Sequence, residues 1–207
     1  DYNKLVPESI EANLDNLFGA YLFSVYEFDG NDIAAAKTRL KQFPAAVQAH
    51  PILQRIAEKV AATENTEIGK PYMDLTLPDA AGEPVALSGI VGKGRWVLLD
   101  FWATWCAPCC REIPHLREAY AACKSKGLEI YGVSLDNDAA KWRTFVADND
   151  MPWINVLGVN ADKRSDAAAM YGISSIPANF LISPKGIIVA RDLRGENIKA
   201  RLEEAMR

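Results

Sequence analysis

The sequence predicts an α/β domain with a partly parallel central sheet, preceded by a separate helical segment. Composition changes near residue 66, because all five Trp and all four Cys of the 207-residue chain lie beyond Glu67. Beyond that point, apolar runs of strand length alternate with segments of helical periodicity, which is typical of sheets whose parallel strands are joined by helices. We therefore expect an N-terminal helical segment over residues 1–66 and an α/β domain over residues 67–207.

Three amphipathic helices are predicted in the N-terminal segment. Apolar residues recur there at three- and four-residue spacing, which places them on one face of a helix. The turn signal Gly30-Asn31-Asp32 and the stretch from Pro44 to Pro51 separate the helices. The apolar positions are Val6, Ile10, Leu14, Leu17, Tyr21 and Val25 in the first helix, Ile33, Ala36, Leu40 and Phe43 in the second, and Ile52, Ile56 and Val60 in the third.

The C-terminal region is predicted to open with a hairpin, formed by Tyr72–Leu77 and Val85–Leu87 around a turn at residues 78–82. The next strand, Trp96–Trp102, is a nearly continuous apolar run, which indicates a strand covered on both faces. The elements expected after it are a helix over 106–126, a strand over 128–134, a helix over 139–148 behind an Asp136/Asn137 cap, a strand over 154–157, a helix over 162–171, strands over 178–182 and 187–191, and a closing helix from about Glu196.

Charge and hydropathy exclude nucleic-acid partners and a membrane-spanning helix. With 23 basic and 27 acidic residues, a net charge of −4 and no lysine- or arginine-rich run, the chain lacks the basic patch of a nucleic-acid-binding protein. No apolar stretch reaches the roughly 20 residues that a membrane-spanning helix needs. The chain begins at Asp1 without a basic-then-apolar leader, so we expect a processed or trimmed chain whose targeting signal has been removed.

The clearest chemical feature is the segment Cys106-Ala107-Pro108-Cys109, where the covered strand turns into a helix. Cysteines three residues apart in the first turn of a helix lie close enough to form a disulfide. Unpaired N–H groups and the helix dipole stabilise a thiolate at the first position. Cys106 is therefore the predicted nucleophile and Cys109 the resolving thiol. A zinc site needs a second pair of ligands, which the remaining Cys and His residues supply poorly, so no metal or other cofactor is expected.

Asp100 is a second candidate because it stands inside the covered strand, six residues before Cys106. Burial of a carboxylate is unfavourable and raises its pKa. Such a group can take the proton from Cys109 when that thiol attacks a mixed disulfide, which is general acid–base catalysis. The alternative is that Asp100 ends the strand at the protein surface.

Spacing alone does not decide the geometry of the bond before Pro177, whereas structural rather than catalytic places are expected for the remaining Cys and His residues of this region. The bond between Ile176 and Pro177 is either trans, at the start of an edge strand, or cis. Cys110 is expected to be a partly exposed bystander, and the alternative is a third redox thiol. Cys123 is expected to pack in the core as a small apolar residue, and His115 to be a solvated surface residue rather than a ligand.

The run from Val97 to Cys109, VLLDFWATWCAPC, resembles the active-site segment of thioredoxins, whose usual form is V-D-F-W-A-x-W-C-G-P-C. Pro114 falls where thioredoxins kink the active-site helix, and Tyr171 to Pro177, YGISSIP, is similar to their Y-G-I-x-x-I-P segment. The extra helix and strand between Ser134 and Asp162, with the preceding hairpin, resemble the TlpA/ResA-like group of bacterial envelope thiol-disulfide oxidoreductases, which is often pooled with the AhpC/TSA peroxiredoxins. The resemblance implies a thioredoxin fold, with a central mixed sheet flanked by helices.

The resemblance also implies roles for individual residues. It makes Cys106 the nucleophile, Cys109 the resolving thiol and Asp100 the buried acid, and it implies a cis bond before Pro177. The backbone of Ile176 would pair with an extended substrate peptide. The implied substrate-binding surface consists of Trp105, Ala107, Pro108, Ile176 and Pro177.

Three positions depart from the thioredoxin pattern. Ala107 replaces the usual Gly, Cys110 stands where a basic residue is more common, and Gly132 falls where thioredoxins keep a lysine near the buried acid.

The expected activity is reduction of disulfides in other envelope proteins, with an upstream protein as electron donor. Strong oxidants of this class stabilise the thiolate unusually well, often with a histidine between the cysteines, and here Ala107-Pro108 occupies that place. The expected location is the bacterial periplasm or cell envelope, and a lipid anchor on the full-length protein is compatible with it.

Two other functions are weighed against reduction of disulfides. A peroxiredoxin normally has Thr three residues before its reactive Cys, whereas Thr104 lies two before Cys106. A copper chaperone could hold Cu(I) with Cys106 and Cys110, but such sites add a downstream histidine, and none follows His115.

Overall fold

A computed structural model of the chain describes residues 2–30 and 32–207. The chain forms two compact units, one up to Asn65 and one from Thr66 to Arg207. Within the described residues, no helix is both long and apolar enough to cross a membrane.

The N-terminal unit is helical. A buried cluster that includes Ile10, Phe23, Phe43, Leu53 and Ile56 forms its core. Its elements are α1 (Tyr2–Glu11), α2 (Leu17–Leu22), which runs on into a π-helical turn (Phe23–Glu27), α3 (Ile33–Gln42), α4 (Ala45–Gln48) and α5 (Pro51–Asn65).

The prediction of one continuous first helix is wrong, because the chain leaves helical geometry between α1 and α2. Asn16 caps the new helix: its side-chain oxygen accepts hydrogen bonds from the N–H groups of Phe18 (2.9 Å) and Gly19 (3.4 Å). Asn readily competes for backbone donors in this way, so it favours a cap over a helix interior. A Cβ at Gly19 would lie 2.1 Å from the carbonyl oxygen of Asn13, so only glycine permits this close approach.

The break also changes which residues face the core. Leu17, Tyr21 and Val25, predicted to be on the apolar face, are about half exposed, whereas Ala20 and Phe23 are buried. A helix that restarts after a turn no longer keeps the phase of the preceding apolar repeat, so a periodicity counted across the turn assigns the wrong face.

The other predicted breaks in this unit have two outcomes. Asp32 caps α3 by accepting a hydrogen bond from Ala35 N at 2.8 Å, while Asn31 lies outside the described residues. The stretch from Pro44 to Pro51 contains the short helix α4 rather than an uninterrupted loop.

The C-terminal unit has a thioredoxin fold, as expected, with a mixed five-stranded sheet and a separate antiparallel hairpin. The strand order is β5-β4-β3-β6-β7; β3, β4 and β5 are parallel to one another, and β6 runs antiparallel to both of its neighbours, β3 and β7. The elements are β1 (Thr76–Pro78), β2 (Pro84–Ala86), β3 (Trp96–Trp102), α6 (Ala107–Cys123), β4 (Leu128–Ser134), α7 (Ala139–Asp148), β5 (Ile154–Leu157), α8 (Asp166–Met170), β6 (Ala178–Ile182), β7 (Ile188–Arg191) and α9 (Asn197–Ala205).

Two helix starts differ from the prediction. Asp138, not Asp136 or Asn137, caps α7: its side chain accepts bonds of 3.0 Å from the N–H groups of residues 140 and 141. Helix α8 begins at Asp166, four residues later than expected, because Asn160 first organises a turn by accepting bonds from the N–H groups of residues 162 and 164. In both places, a short polar side chain claims backbone donors.

The central strand β3 is buried on both faces, as its apolar run predicted. Leu98 and Trp102 pack on the side of α6 and α9, whereas Leu99 and Phe101 pack in the opposite cluster. Strand β3 ends at Trp102, four residues before Cys106, and β6 starts directly after Pro177. Phe101 pairs with Ala178, so these two ends meet at the same edge of the sheet.

Candidate active site

Cys106 is the N-cap residue of α6 and forms a disulfide with Cys109. Their Cα atoms are 5.2 Å apart, and Cys106 Sγ accepts a hydrogen bond of 3.2 Å from Cys109 N. The sulfur thus occupies the place where a helix offers unpaired N–H groups, as the spacing predicted. Both cysteines are largely buried, with exposures of 5% and 3%.

The residues around the disulfide are more open than the disulfide itself. Trp105 is 62% exposed, and Ala107 and Pro108 are also exposed. Beside Trp105, a cavity of about 350 Å³ is lined in part by Leu135 and Ile173. The surface next to the sulfur atoms therefore offers an apolar groove.

The loop before β6 lies against the disulfide. The bond between Ile176 and Pro177 is cis, as the resemblance implied, and the carbonyl oxygen of Ile176 lies 3.7 Å from Cys106 Sγ. Ile176 also lines the groove beside Trp105. The structure thus brings the predicted Cys106, Trp105, Ile176 and Pro177 to one place.

Asp100 lies in the middle of the sheet, not at a surface end of its strand. It is 6% exposed and pairs with Gly132 on one side and Asn179 on the other. Burial raises its pKa from 3.8 to about 7, with a smaller rise from Glu112, while Arg194 and a hydrogen bond with Asn179 act in the lowering direction. The carboxyl group can therefore gain or lose a proton near neutral pH.

Gly132, at the position where thioredoxins keep lysine, is closely surrounded by side chains. A Cβ there would lie 3.3 Å from both Trp102 Nε1 and Asn155 Oδ1. The cation that acts on Asp100 is instead Arg194, from the loop after β7.

Glu112 and Arg194 are site residues that the sequence analysis missed. Glu112 accepts a hydrogen bond of 2.7 Å from Gly195 N, and Arg194 donates to the carbonyl oxygens of Pro177 and Leu193. Glu112 follows Cys109 by three residues in α6, so helix periodicity could have placed the two on one face. Nothing local marks Arg194, because its partner Pro177 lies 17 residues earlier in the chain.

The remaining candidates are arranged as follows. Cys123 is fully buried in the cluster beneath α6, as expected, and its burial raises the pKa of its thiol. His115 is partly buried. Cys110 is also partly buried, and its Sγ lies 3.5 Å from the carbonyl oxygen of Thr104. Among residues 2–30 and 32–207, no group of three or more His, Cys, Asp or Glu side chains could hold a metal ion.

Comparisons with known proteins agree with this geometry. Over 144 residues, the chain is 34% identical to the thiol-disulfide oxidoreductase ResA of Bacillus thuringiensis, covering 70% of this chain and 79% of that relative. The thioredoxin domain of a thiol-disulfide oxidoreductase from Bacteroides vulgatus matches with a TM-score of 0.63 and 34% identity, covering 68% of this chain and 99% of that one. A putative thiol:disulfide interchange protein DsbE from Chlorobium tepidum matches with a TM-score of 0.59 and 28% identity, covering 68% and 97%.

The AhpC/TSA family matches residues 68–191, a range that contains both the Cys106–Cys109 pair and the Ile176–Pro177 loop. Because the matched segment carries the redox pair on a thioredoxin fold, and the relatives with that fold are thiol-disulfide oxidoreductases, the chain belongs to the AhpC/TSA family as one of its thiol-disulfide oxidoreductases.

Proposed function

We propose that the protein reduces disulfides in extracytoplasmic proteins by cycling Cys106 and Cys109 between dithiol and disulfide. The observation that carries this proposal is the position of Cys106, with its sulfur at the start of α6 and 3.7 Å from the carbonyl oxygen of Ile176. A sulfur at a helix N-terminus beside an open backbone segment is suited to attack a disulfide in a bound peptide.

The first step is attack by the Cys106 thiolate on one sulfur of the substrate disulfide. A mixed disulfide forms, and the other substrate sulfur leaves as a thiolate and takes a proton. The N–H of Cys109, 3.2 Å from Cys106 Sγ, and the helix dipole stabilise the negative charge on the attacking sulfur. These interactions assign the nucleophilic role to Cys106 rather than to Cys109.

In the second step, Cys109 attacks Cys106 Sγ, releases the second substrate sulfur and closes the protein disulfide. Its thiol must first lose a proton, and Asp100, whose pKa burial raises to about 7, is the proposed acceptor. Two electrons have then passed to the substrate. An upstream dithiol protein must return two electrons before the next cycle.

Recognition of the substrate is assigned to the surface around the disulfide. An extended peptide would pair with the backbone of Ile176, beside the cis bond to Pro177, and rest against Trp105, Ala107 and Pro108. The groove between Trp105 and Leu135 suits an apolar side chain near the substrate cysteine.

The reducing direction, the location and the division into domains are also part of the proposal. Ala107 and Pro108, rather than a histidine, stand between the cysteines, which favours a reducing pair. The resemblance to TlpA/ResA-like envelope proteins supports the bacterial periplasm or cell envelope. Residues 1–66 are assigned to a helical segment and residues 67–207 to the redox domain.

Reduction of insulin disulfides tests the chemistry. Cys106→Ser should abolish turnover, while Cys109→Ser should accumulate mixed disulfides with the substrate, because the second step is blocked. Cys123→Ala is the matched control on the same helix and should retain turnover. Equal trapping by the Cys106 and Cys109 variants would contradict the assignment of roles.

Equilibration with glutathione buffers tests the direction. We expect a reduction potential below that of glutathione, so that most of the protein becomes oxidised in an equimolar mixture of the reduced protein and oxidised glutathione. A potential above that of glutathione would make the protein an oxidase.

A further inference from the structure

Cys110 poses a chemical problem, because it is a free thiol next to the redox pair. It lies four residues after Cys106, so both side chains occupy one face of α6. A Cys110 thiolate could attack Cys106 Sγ and form a Cys106–Cys110 disulfide, with Cys109 leaving as a thiolate. No net electrons are needed for this exchange, and its product would lack the Cys106–Cys109 bond.

Asp136 holds the loop that leads into the redox pair. It is 3% exposed and follows β4. Its carboxylate accepts hydrogen bonds from Thr104 N (2.9 Å), Thr104 Oγ1 (2.6 Å) and Ser134 Oγ (2.7 Å). Both donors of Thr104 are therefore bound to one buried carboxylate, from a residue 32 positions further along the chain.

Thr104 in turn holds Cys110. The carbonyl oxygen of Thr104 lies 3.5 Å from Cys110 Sγ, and that of Ala103 lies 3.9 Å away. A thiol can donate its proton to such a carbonyl oxygen, whereas a thiolate cannot. Thr104 thus links the Asp136 carboxylate on one side to the Cys110 thiol on the other.

Electrostatic effects also favour the protonated form of the Cys110 thiol. Burial and the Asp136 carboxylate raise the pKa of Cys110, while its backbone hydrogen bond and Arg111 have the opposite, smaller effect. The thiol form predominates, and the thiolate is the form that exchanges.

We propose that Asp136 is a positioning residue that anchors Thr104 and thereby keeps the Cys110 thiol out of exchange with the Cys106–Cys109 pair. The inference rests on the proposed dithiol chemistry of that pair. Asp136 and Thr104 thereby restrict disulfide formation to the Cys106–Cys109 pair and prevent pairing with the neighbouring Cys110.

Alkylation of the oxidised protein tests this proposal without any substrate. With the Cys106–Cys109 bond closed, Cys110 and Cys123 are the free cysteines, and mass mapping after iodoacetamide treatment distinguishes them. In Asp136→Asn, the amide nitrogen cannot accept a hydrogen bond and the negative charge is gone. We expect Cys110 to react at least tenfold faster than in the parent, and Cys106–Cys110 disulfides to appear on storage.

Two further variants separate the contributions. Thr104→Val keeps the N–H bond to Asp136 and loses the hydroxyl bond, so we expect an increase of about threefold. Asp138→Asn is the matched control, because Asp138 caps α7 through the N–H groups of residues 140 and 141 and Asn is also a good cap. Its Cys110 should react at the parent rate.

The pH profile of Cys110 alkylation measures the pKa of the thiol, which both its burial and the Asp136 carboxylate raise. Its midpoint should fall in Asp136→Asn and stay at the parent value in Asp138→Asn. A Cys110 rate in folded Asp136→Asn within twofold of the parent, or an unchanged midpoint, would overturn the proposal. Near-ultraviolet circular dichroism shows whether Asp136→Asn folds. If it does not fold, the Thr104→Val variant decides: a Cys110 alkylation rate equal to that of the parent overturns the proposal, and a threefold rise supports it. Insulin turnover measured separately shows whether the proposed dithiol function itself has failed.

Discussion

The sulfur of Cys106 lies 3.7 Å from the carbonyl oxygen of Ile176, although 70 residues separate them in sequence. The pairing of Phe101 with Ala178 brings them together, since it sets the end of β3 beside the start of β6. The proposed nucleophile and the backbone proposed to receive a substrate thus lie just beyond the adjacent ends of two central strands. A site built on such strands keeps its geometry better than one built on loops alone.

Replacement of Asp100 by Asn should stabilise the protein above neutral pH. Asp100 has a pKa of about 7 in the fold and 3.8 as its ordinary value, so the folded state binds more protons between these limits and the parent loses stability as pH rises through them. This difference in pKa corresponds to about 4 kcal/mol of stability lost by the parent once the Asp100 carboxyl is ionised in both the folded and the unfolded state. Urea unfolding should show Asp100→Asn gaining on the parent from pH 4 to pH 8. A stability difference that does not change over this range would contradict the buried, raised pKa.

Arg194→Gln should move the pH profile of disulfide reduction upward. The Arg194 cation lowers the pKa of Asp100, so removal of Arg194 raises the pKa of Asp100. The Asp100 carboxylate, the proposed acceptor of the Cys109 proton, then forms only at higher pH. The profile of kcat/KM against pH measures this shift. Arg201→Gln is the control, because Arg201 forms an exposed ion pair with Glu204, and its profile should match that of the parent. A downward shift in Arg194→Gln would exclude this electrostatic coupling.

Trp105→Ala should weaken substrate binding without weakening the fold. Trp105 is 62% exposed, so its removal forfeits little buried area. A peptide substrate loses an aromatic contact, which we expect to raise KM about tenfold with a smaller effect on kcat. Steady-state kinetics and the melting temperature report both quantities. Met170→Ala, at another exposed apolar position, should leave both unchanged, and an unaltered KM for Trp105→Ala would remove this ring from the substrate surface.

Cys110→Ser should change the rate of disulfide reduction by less than twofold. The serine hydroxyl can donate to the carbonyl oxygen of Thr104 as the thiol does, so the loop keeps its contact. A twofold change is only about 0.4 kcal/mol at 1.4 kcal/mol per tenfold. Insulin turnover and the reduction potential should both be measured. A tenfold loss of rate would mean that Cys110 takes part in exchange.

Elements that depend on local interactions were predictable from the amino-acid sequence. Strands β3, β4, β5 and β6 have the predicted bounds, because buried strands are short apolar runs with sharp ends. The position of Cys106 at the start of α6 also follows from its local sequence. Predictions failed where a short polar side chain competed for backbone donors: Asn16 interrupts the first helix, and Asp138 replaces Asp136 as the cap of α7.

The remaining contacts of the site depend on tertiary packing and were not predictable from local sequence. Asp136 reads as a helix cap in the sequence, yet its carboxylate binds Thr104, 32 residues earlier. No local pattern marks Arg194, yet it donates a hydrogen bond to the carbonyl oxygen of Pro177 and acts on the pKa of Asp100. Periodicity and capping rules describe neighbours within about one helical turn, whereas these contacts arise when the sheet brings distant chain segments to one edge. The cysteine pair and its place at a helix start were therefore predictable from local sequence, while the contacts that Arg194 and Asp136 make depend on the packing of the whole domain.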